Sequence, residues 1–272
     1  ILETGMGGRL DATTAVPADV CALTPIALDH TKWLGSTLTE IAFEKASIAL
    51  YEKPLISAQQ EPEAQIEIER VANQVQAPLF FIDTPLLGYH IALAGEHQKL
   101  NAALACETMI AAGYQLSYDV VQHAFSTLRW PGRVEVYERT PFNHKGHLIL
   151  DAAHNPHSAK ALIETWKSVY SEAKAQVIFG SVEDKESATV LKIISEITEH
   201  FHFVPVNSPR GIAPEALIEM IGDASHTVHD SVNNALTTSA TQPTHTLLTG
   251  SLFLLGESKG IIDQRSTRKS TQ

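Results

Sequence analysis

The 272-residue chain is longer than one average domain, and its 44% apolar content can fill one or two buried cores, so two domains are expected. Its 31 acidic and 20 basic residues give a net charge of -11, which disfavours a broad nucleic-acid-binding surface. The only cysteines, Cys21 and Cys106, exclude a disulfide framework and a cysteine-based metal site and fit a reducing cytosol. No apolar run reaches the ~18 residues that span a bilayer.

Apolar runs typical of strands alternate with helical patterns in the first half of the chain. The predicted strands cover 20–26, 54–57 and 78–82. The predicted helices cover 38–51, 63–75, 98–112 and 118–128. This order favours a parallel sheet covered by helices. The first residues, Ile1-Leu2-Glu3, are typical of a strand end entering a glycine turn, and because the chain begins without methionine we expect an upstream portion.

The pattern stops at Trp130-Pro131-Gly132-Arg133, where proline and glycine together mark a break near the domain junction. Strands are then predicted at 147–151, 175–179, 202–206, 227–229 and 246–248. Helices are predicted to begin near Ser158, Lys185, Pro214, Ser231 and Ser251. Five strand–helix repeats in about 115 residues predict a Rossmann-like domain. The polar tail after Asp263 lacks apolar periodicity, and we expect it to fray.

The densest candidate motif is the glycine-rich run ETGMGGRLDAT at 3–13. Three glycines in four positions permit unusual φ angles and a close approach of a ligand to the backbone. Glu3 is expected at the carboxyl end of a strand, where α/β sheets bind ligands. The alternative is a tight turn with a solvent-facing acid.

Two further candidates follow the first predicted strand. His30 lies just beyond its carboxyl end, as either a ligand or a structural histidine. Lys45 lies in a helix among apolar residues, which could bury it, lower its pKa and supply an unprotonated amine for covalent chemistry. The alternative for Lys45 is an exposed surface lysine.

Four polar residues later in the chain are candidates for nucleotide or phosphate contacts. Asn101 lies near the start of a helix and is either a ligand or an ordinary first-turn residue. Arg133, at the junction, can reach a phosphate or serve as a linker cation. Asp151 could accept bonds from a ribose or hold a metal-bound water, and His154 could orient a phosphate or carboxylate. Alternatively, both belong to a polar turn that initiates the next helix.

Taken in order, these segments resemble the folylpolyglutamate synthase/dihydrofolate synthase family of the Mur-ligase superfamily. The resemblance covers nearly the whole chain and rests on seven ordered matches, which are far more specific than the glycine motif alone. The matching segments are ETGMGGRLDAT at 3–13, LDHTKWLG at 28–35, AFEKA at 42–46, GEHQKLNAALA at 95–105, WPGR at 130–133, LDAAHNPHS at 150–158 and TGSLFLLG at 249–256.

The resemblance implies roles for individual residues. Glu3, His30 and a carbamylated Lys45 would be ligands of Mg²⁺, since CO2 adding to a neutral lysine amine gives an anionic carbamate that suits a hard cation. The remaining implied roles are substrate binding for Leu10, Asp11 and Ala12, ATP binding for Asn101, Arg133 and Asp151, a position close to the reacting groups for His154, and a family DK pair at Asp184-Lys185.

The family's usual sequence differs at a few positions. Thr14 replaces a common Asn, Ala152 replaces the Gly of DGAHNP, and Ser47 replaces a Gly; these changes leave the implied ligands intact. No G-x-x-x-x-G-K-[ST] motif occurs, although the family carries its P-loop upstream of the first matching segment. We therefore expect a truncated chain that is inactive by itself.

The implied fold is α/β, with the latter part of a Mur-ligase central domain at 1–140, a Rossmann-like C-terminal domain at 141–265 and a tail at 266–272. The implied activity is ATP-dependent addition of L-glutamate to dihydropteroate or folates through an acyl phosphate, in a cytoplasmic monomer that binds neither nucleic acid nor membrane. Two alternatives stay open: another Mur-type amino-acid ligase, and a non-catalytic binding protein descended from a ligase.

Overall fold

The first of the protein's two units contains a three-stranded parallel sheet. The computed structural model describes residues 1–183 and 185–264. The first unit comprises Ile1–Ala92 and Glu96–Leu128. Its strands pair in the order β1-β2-β3. Its elements are β1 (Cys21–Leu23), α1 (Thr31–Leu34), α2 (Leu38–Ala46), β2 (Leu55–Ala58), α3 (Pro62–Gln74), β3 (Leu79–Ile82), α4 (His97–Ala111) and α5 (Tyr118–Thr127).

Helices cover both faces of this sheet. Buried Ile41 of α2 and Ile68 of α3 pack with Leu55 on one face, and Leu104 of α4 packs on Ile56 on the other. The start of α2 is fixed by a capping box, in which the Thr37 side chain and the N3 glutamate satisfy each other's backbone N–H groups. The sequence thus determines where the helix begins, and packing determines which face it presents.

The second unit comprises Leu93–Gly95 and the chain from Arg129 onward. Its six strands pair in the order β4-β5-β9-β6-β7-β8, with β4 antiparallel to β5 and all other pairs parallel. Its elements are β4 (Glu135–Tyr137), β5 (Leu148–Leu150), α6 (Pro156–Tyr170), β6 (Ala175–Phe179), α7 (Ser187–Ile194), β7 (Thr198–Phe203), α8 (Pro214–Ile218), β8 (His226–Val228), α9 (Val232–Ala240), β9 (His245–Thr249) and α10 (Leu252–Ile262).

This larger sheet is a doubly wound layer with a separate core on each face. Helices α6, α7 and α8 contribute Trp166, Leu191 and Leu217 to one core. Helices α9 and α10 contribute Leu236 and Leu254 to the other. Because β5, β9, β6 and β7 run parallel, their carboxyl ends meet at one edge of the sheet, where such folds bind ligands.

The predicted α/β class is confirmed, and β6 matches the predicted 175–179 at both ends. Strand β7 begins and ends earlier than the predicted 202–206, because Thr198–Phe203 is the stretch in register with β6 and Pro205 lacks an N–H for the ladder. Strand β4 was missed, since a three-residue edge strand leaves almost no periodicity. Two predictions concern residues outside the described ranges: the first residue of the DK pair, Asp184, and the tail at 266–272.

The first residues also differ from expectation. Ile1 and Leu2 are exposed and form no regular strand, so Glu3 lies in irregular backbone instead of at a strand end. A strand needs a hydrogen-bonded neighbour, and no described residue pairs with this segment.

Candidate functional site

The glycine-rich loop of the first unit is organised by the carboxylate of Asp11. One oxygen, Oδ1, accepts the backbone N–H (2.9 Å) and the hydroxyl (2.7 Å) of Thr13, and the other accepts the N–H groups of Gly5 (2.8 Å) and Met6 (3.2 Å). These bonds, those from Thr13 above all, lower the pKa of Asp11 to about 2. The carboxylate is therefore committed to shaping the loop.

The residues beside Asp11 have a different character. Leu10 is 81% exposed, and Ala12, also exposed, begins a 3-10 turn that Asp11 caps. The predicted substrate-binding trio thus consists of one loop-organising carboxylate between two exposed apolar side chains.

The same loop packs against the end of α2. The N–H of Arg9 donates to the carbonyl oxygen of Glu44 (2.8 Å), and their side chains form an ion pair at 2.8 Å. A Cβ on Gly8 would lie 2.7 Å from that carbonyl oxygen and 3.0 Å from the carbonyl oxygen of Lys45. Glycine is therefore required at position 8, because this close approach leaves no room for a side chain.

Lys45, the next residue of α2, is half-buried, so its environment is the first of the two alternatives that the sequence left open. Burial lowers the pKa of its ammonium group, and the negative charge of Asp29 partly opposes this shift. A lysine held this way has a larger neutral fraction than a solvated one, and the neutral amine is the form that adds to CO2. Its surroundings therefore fit a carbamate.

The two other predicted metal ligands are more exposed. His30 precedes α1 in a left-handed conformation (φ 52°), and its N–H donates to the Asp29 carboxylate (2.7 Å). Glu3 is exposed near the start of the glycine loop. The described part of the chain contains no group of three or more His, Cys, Asp or Glu side chains that could hold a metal ion. The predicted set contains only two residues of those types, and the Lys45 carbamate would be the third ligand.

Asn101 lies in the second turn of α4 and is half-buried. Its side-chain amide donates to Gln98 (3.2 Å), one turn earlier, whose own amide bonds the His97 ring (3.0 Å). This polar row occupies the start of the helix, where backbone N–H groups attract anions.

Asp151, directly after β5, is the most deeply buried of the predicted site residues in the second unit, with 7% of its surface exposed. Its two oxygens accept the N–H groups of Val134 (3.0 Å) and Ala153 (2.9 Å). Burial raises the pKa of Asp151, while these hydrogen bonds and the nearby charges of Arg133 and His154 act in the opposite direction. Arg133 belongs to the same unit and is exposed.

His154 is oriented by the turn that starts α6. Its Nδ1 lies 2.8 Å from the carbonyl oxygen of Ala152, which can only accept, so Nδ1 carries the hydrogen and Nε2 has the lone pair in the neutral ring. Asn155 caps α6 by accepting the N–H of Ser158 (2.8 Å). This tautomer suits His154 for accepting a proton or bonding a ligand through Nε2.

The ends of three strands meet beside His154. The N–H of Gly250 and the hydroxyl of Thr249 both donate to the carbonyl oxygen of Ala153, at 3.0 and 3.1 Å. Gly250 has φ 109°, and a Cβ there would lie 2.6 Å from the carbonyl oxygen of Gly180. The family resemblance includes the TGS segment at 249–251 but does not assign it this role, because the contact joins residues that are far apart in the chain.

The family comparisons agree with this architecture. Residues 132–252 match the Mur ligase, glutamate ligase domain. The chain is 33% identical over 250 residues to the Escherichia coli (strain K12) dihydrofolate synthase/folylpolyglutamate synthase, an alignment that takes in 86% of this chain and 57% of that protein. The resemblance to folylpolyglutamate synthase/dihydrofolate synthase proteins that the motifs predicted is therefore confirmed over most of this chain.

Solved structures of this family resemble the chain over most of its length. E. coli FolC in complex with DHPP and ADP has a TM-score of 0.84 and 30% identity, covering 96% of this chain and 65% of that one. A bifunctional folylpolyglutamate synthase/dihydrofolate synthase with Mn, AMPPNP and L-glutamate bound has a TM-score of 0.81 and 27% identity, covering 96% of this chain and 66% of that one. In these comparisons the chain spans 57% to 66% of the length of the relatives.

Within residues 1–183 and 185–264, no helix has both the length and the apolar character that crossing a bilayer requires.

Proposed function

We propose that this chain provides the substrate loop, the lysine-bearing helix and the C-terminal domain of an ATP-dependent ligase that joins L-glutamate to dihydropteroate or to folates. The observation that carries the proposal is buried Asp151 at the carboxyl edge of a glutamate ligase domain, beside an oriented His154. The names and bound ligands of the relatives support the same reaction.

The reaction begins with transfer of the γ-phosphoryl group of ATP to the substrate carboxylate, giving an acyl phosphate and ADP. The amine of L-glutamate attacks the acyl carbon, and the tetrahedral intermediate collapses to an amide with release of phosphate. The amine loses a proton in this step, and Nε2 of His154 is a suitable acceptor. Because water would hydrolyse the acyl phosphate, the site must exclude it.

The metal in this proposal is Mg²⁺, bound by Glu3, His30 and the carbamate of Lys45. Bound Mg²⁺ supplies charge neutralisation for the transferred phosphoryl group. The carbamate forms when the neutral Nζ of Lys45 adds to CO2 and releases a proton, and burial of this side chain favours the neutral amine. Asp29 is placed to orient the backbone of His30, through the 2.7 Å bond to its N–H.

The organic substrates are assigned to three groups of residues. Leu10 and Ala12 offer exposed apolar contact for the pterin-bearing substrate, while Asp11 holds their loop. Asn101, Arg133 and Asp151 contact ATP. We further propose that the protein is a cytoplasmic monomer without nucleic-acid or membrane partners. Its net charge of -11 supports the absence of a nucleic-acid partner.

A fusion protein tests the activity. In it, this chain replaces the matching segment of the E. coli relative, whose remaining sequence completes the ligase. We expect glutamate-dependent ADP release with dihydropteroate, tetrahydrofolate or both. The identity of the accepted substrate separates dihydrofolate synthase from folylpolyglutamate synthase activity.

A fusion that folds but releases ADP with neither substrate would contradict the proposal. Release only with another acid or another amino acid would instead support a different Mur-type ligase. The 272-residue chain alone is the control, and we expect it to be inactive.

A further inference from the structure

The turn that carries Arg133 has an unusual backbone. Gly132 has φ 73° and Val134 has φ 48°, so Arg133 lies between two left-handed residues. Glycine accepts this conformation, but a β-branched residue such as valine rarely does. A strained residue of this kind persists only where surrounding contacts hold it.

Three hydrogen bonds hold the turn. The N–H of Val134 donates to Asp151 (3.0 Å), the carbonyl oxygen of Gly132 accepts the N–H of Ala152 (2.9 Å), and the N–H of Gly132 donates to Oε2 of Glu135 (2.9 Å). The first two come from the end of β5, which is itself buried. The third depends on the position of a side chain in an edge strand.

Glu135 is fixed from the opposite side of its carboxylate. Nζ of Lys259, in α10, donates to Oε1 of Glu135 and to the hydroxyl oxygen of Tyr137, both at 2.6 Å, and that hydroxyl donates to the same Oε1 at 3.0 Å. The Lys259 and Glu135 side chains are only 23% and 26% exposed. Partial burial strengthens such charge-assisted bonds relative to surface pairs.

The side chain of Arg133 has no comparable support. It is exposed, and no residue in the described ranges forms a hydrogen bond with its guanidinium group. Its placement therefore depends on the backbone of the turn.

We propose that Glu135, Tyr137 and Lys259 form a positioning cluster that holds the 132–134 turn in its strained conformation and so places Arg133 for nucleotide binding. This inference rests on the proposed function, since it takes Arg133 to contact ATP. Lys259 touches no reacting group; it acts through Glu135. An ordinary ion pair would contribute stability without affecting this turn.

Amide hydrogen exchange on the full 272-residue chain tests the cluster directly. Lys259→Met removes the ammonium group and keeps most of the stem. We expect the Gly132 and Val134 amides to exchange about tenfold faster or more, consistent with loss of a charge-assisted bond, while β6 and β9 amides keep their protection. Tyr137→Phe removes a single hydroxyl, should leave the fold intact, and is expected to give a smaller acceleration at the same two amides.

The matched control is Lys167→Met. Lys167 also forms an ion pair from a helix of the second unit, with Glu196 at 2.7 Å, but this pair lies elsewhere and its side chains are 50% and 54% exposed. It should leave both turn amides unchanged. Unchanged exchange at Gly132 and Val134 in both Lys259→Met and Tyr137→Phe overturns the positioning role.

Kinetics of the fusion protein separate this inference from the proposed function. Lys259→Met should raise KM for ATP by about fivefold to tenfold with a smaller change in kcat, and Arg133→Lys should have the same signature. If Arg133→Lys raises KM and Lys259→Met does not, the positioning role is wrong while the nucleotide contact stands. If neither variant raises KM for ATP, Arg133 does not contact the nucleotide. The cluster then has no role in nucleotide binding, whatever the exchange data show.

Discussion

The two units differ in how completely their sheets are buried. All five residues of β6 are buried, as are four of the five in β9, and helices cover both faces with large side chains. In the first unit, β3 has no fully buried residue, and Phe80 at its centre is 54% exposed. Since buried apolar area is the main source of stability, the second unit is expected to be the more stable part of the chain.

Some of the candidate site residues differ in burial in the same way. In the second unit, Asp151 is 7% exposed and held by two backbone N–H groups. In the first unit, Glu3, Leu10 and His30 are exposed, and the loop depends on Asp11 for its shape. Residues on a rigid edge keep their geometry without a ligand, whereas residues in an exposed loop depend more on what binds them.

The largest expected effect comes from the core of the second unit. Trp166 is fully buried, and its indole N–H donates to the carbonyl oxygen of Ala173 (2.8 Å). Trp166→Ala should destabilise the second unit by about 3–5 kcal/mol, since it leaves a large cavity and an unpaired carbonyl oxygen. Denaturant unfolding measures the change.

Trp33→Ala, in the first unit, is the matched control. Because Trp33 is 67% exposed, its loss should cost less than about 1 kcal/mol. Equal losses of unfolding free energy for the two variants would show that the difference in burial between the two side chains does not determine stability.

The next largest effect is on activity and concerns Lys45. Lys45→Ala in the fusion protein should lower ligase turnover by about 100-fold or more, because a metal ligand is lost. Short carboxylates such as formate or acetate should restore part of it by replacing the carbamate. Lys53→Ala, which removes an exposed lysine of the same unit, should have little effect. Near-normal turnover of Lys45→Ala without any additive would rule out the carbamate role.

A third effect is acid sensitivity of the second unit. His202 is 2% exposed, with Nε2 bonded to Gln176 (3.0 Å) and Nδ1 to His229 (2.9 Å). Burial, together with the neighbouring His200 and His229, lowers the pKa of His202 from 6.5 to about 3. Because the unfolded chain then binds a proton that the folded chain excludes, stability is present above pH 6.5 and is lost as pH falls towards 3.

At about 1.4 kcal/mol per pKa unit, the stability lost by pH 3 should be on the order of 4 kcal/mol for this residue. Unfolding measured against pH should show a shallower acid loss for His202→Leu than for the wild type, whatever the variant's stability at neutral pH. The control, His157→Leu, removes an exposed histidine. Parallel pH curves for wild type and His202→Leu would show that the buried ring is not the source of the acid loss.

Sequence periodicity predicted the fold where burial is regular. Strand β6 is apolar enough to be delimited by its sequence, and Thr37 and Ser117 cap α2 and α5 where the helical patterns begin. Periodicity failed for β4, whose pairing with β5 depends on a distant partner, and for the start of β7, where a polar Thr-Glu-His stretch is held in the sheet by its register with β6.

Site prediction shows a similar limit. The motifs singled out Lys45 and Asp151 as candidates. The structure adds the physical environment of each: burial near Asp29 for Lys45 and two backbone N–H bonds for Asp151. No sequence signal pointed to Lys259, because its contact with Glu135 joins residues 124 positions apart. Supporting contacts of this kind depend on tertiary packing and leave no local pattern.

The smallest expected effect concerns Arg133. This side chain is exposed although it belongs to the second unit, whose sheet is the more completely buried of the two. Arg133→Lys keeps the positive charge but loses the planar, multi-donor fork that binds phosphate oxygens in pairs, so KM for ATP in the fusion should rise by about tenfold with a smaller change in kcat. The turn itself should be unaffected, because its hydrogen bonds use backbone N–H groups of Gly132 and Val134. Arg139→Lys, a neighbouring exposed arginine, is the control and should leave KM unchanged. An unchanged KM in Arg133→Lys would make residue 133 part of the turn only, and nucleotide binding in this unit would then depend on the buried Asp151.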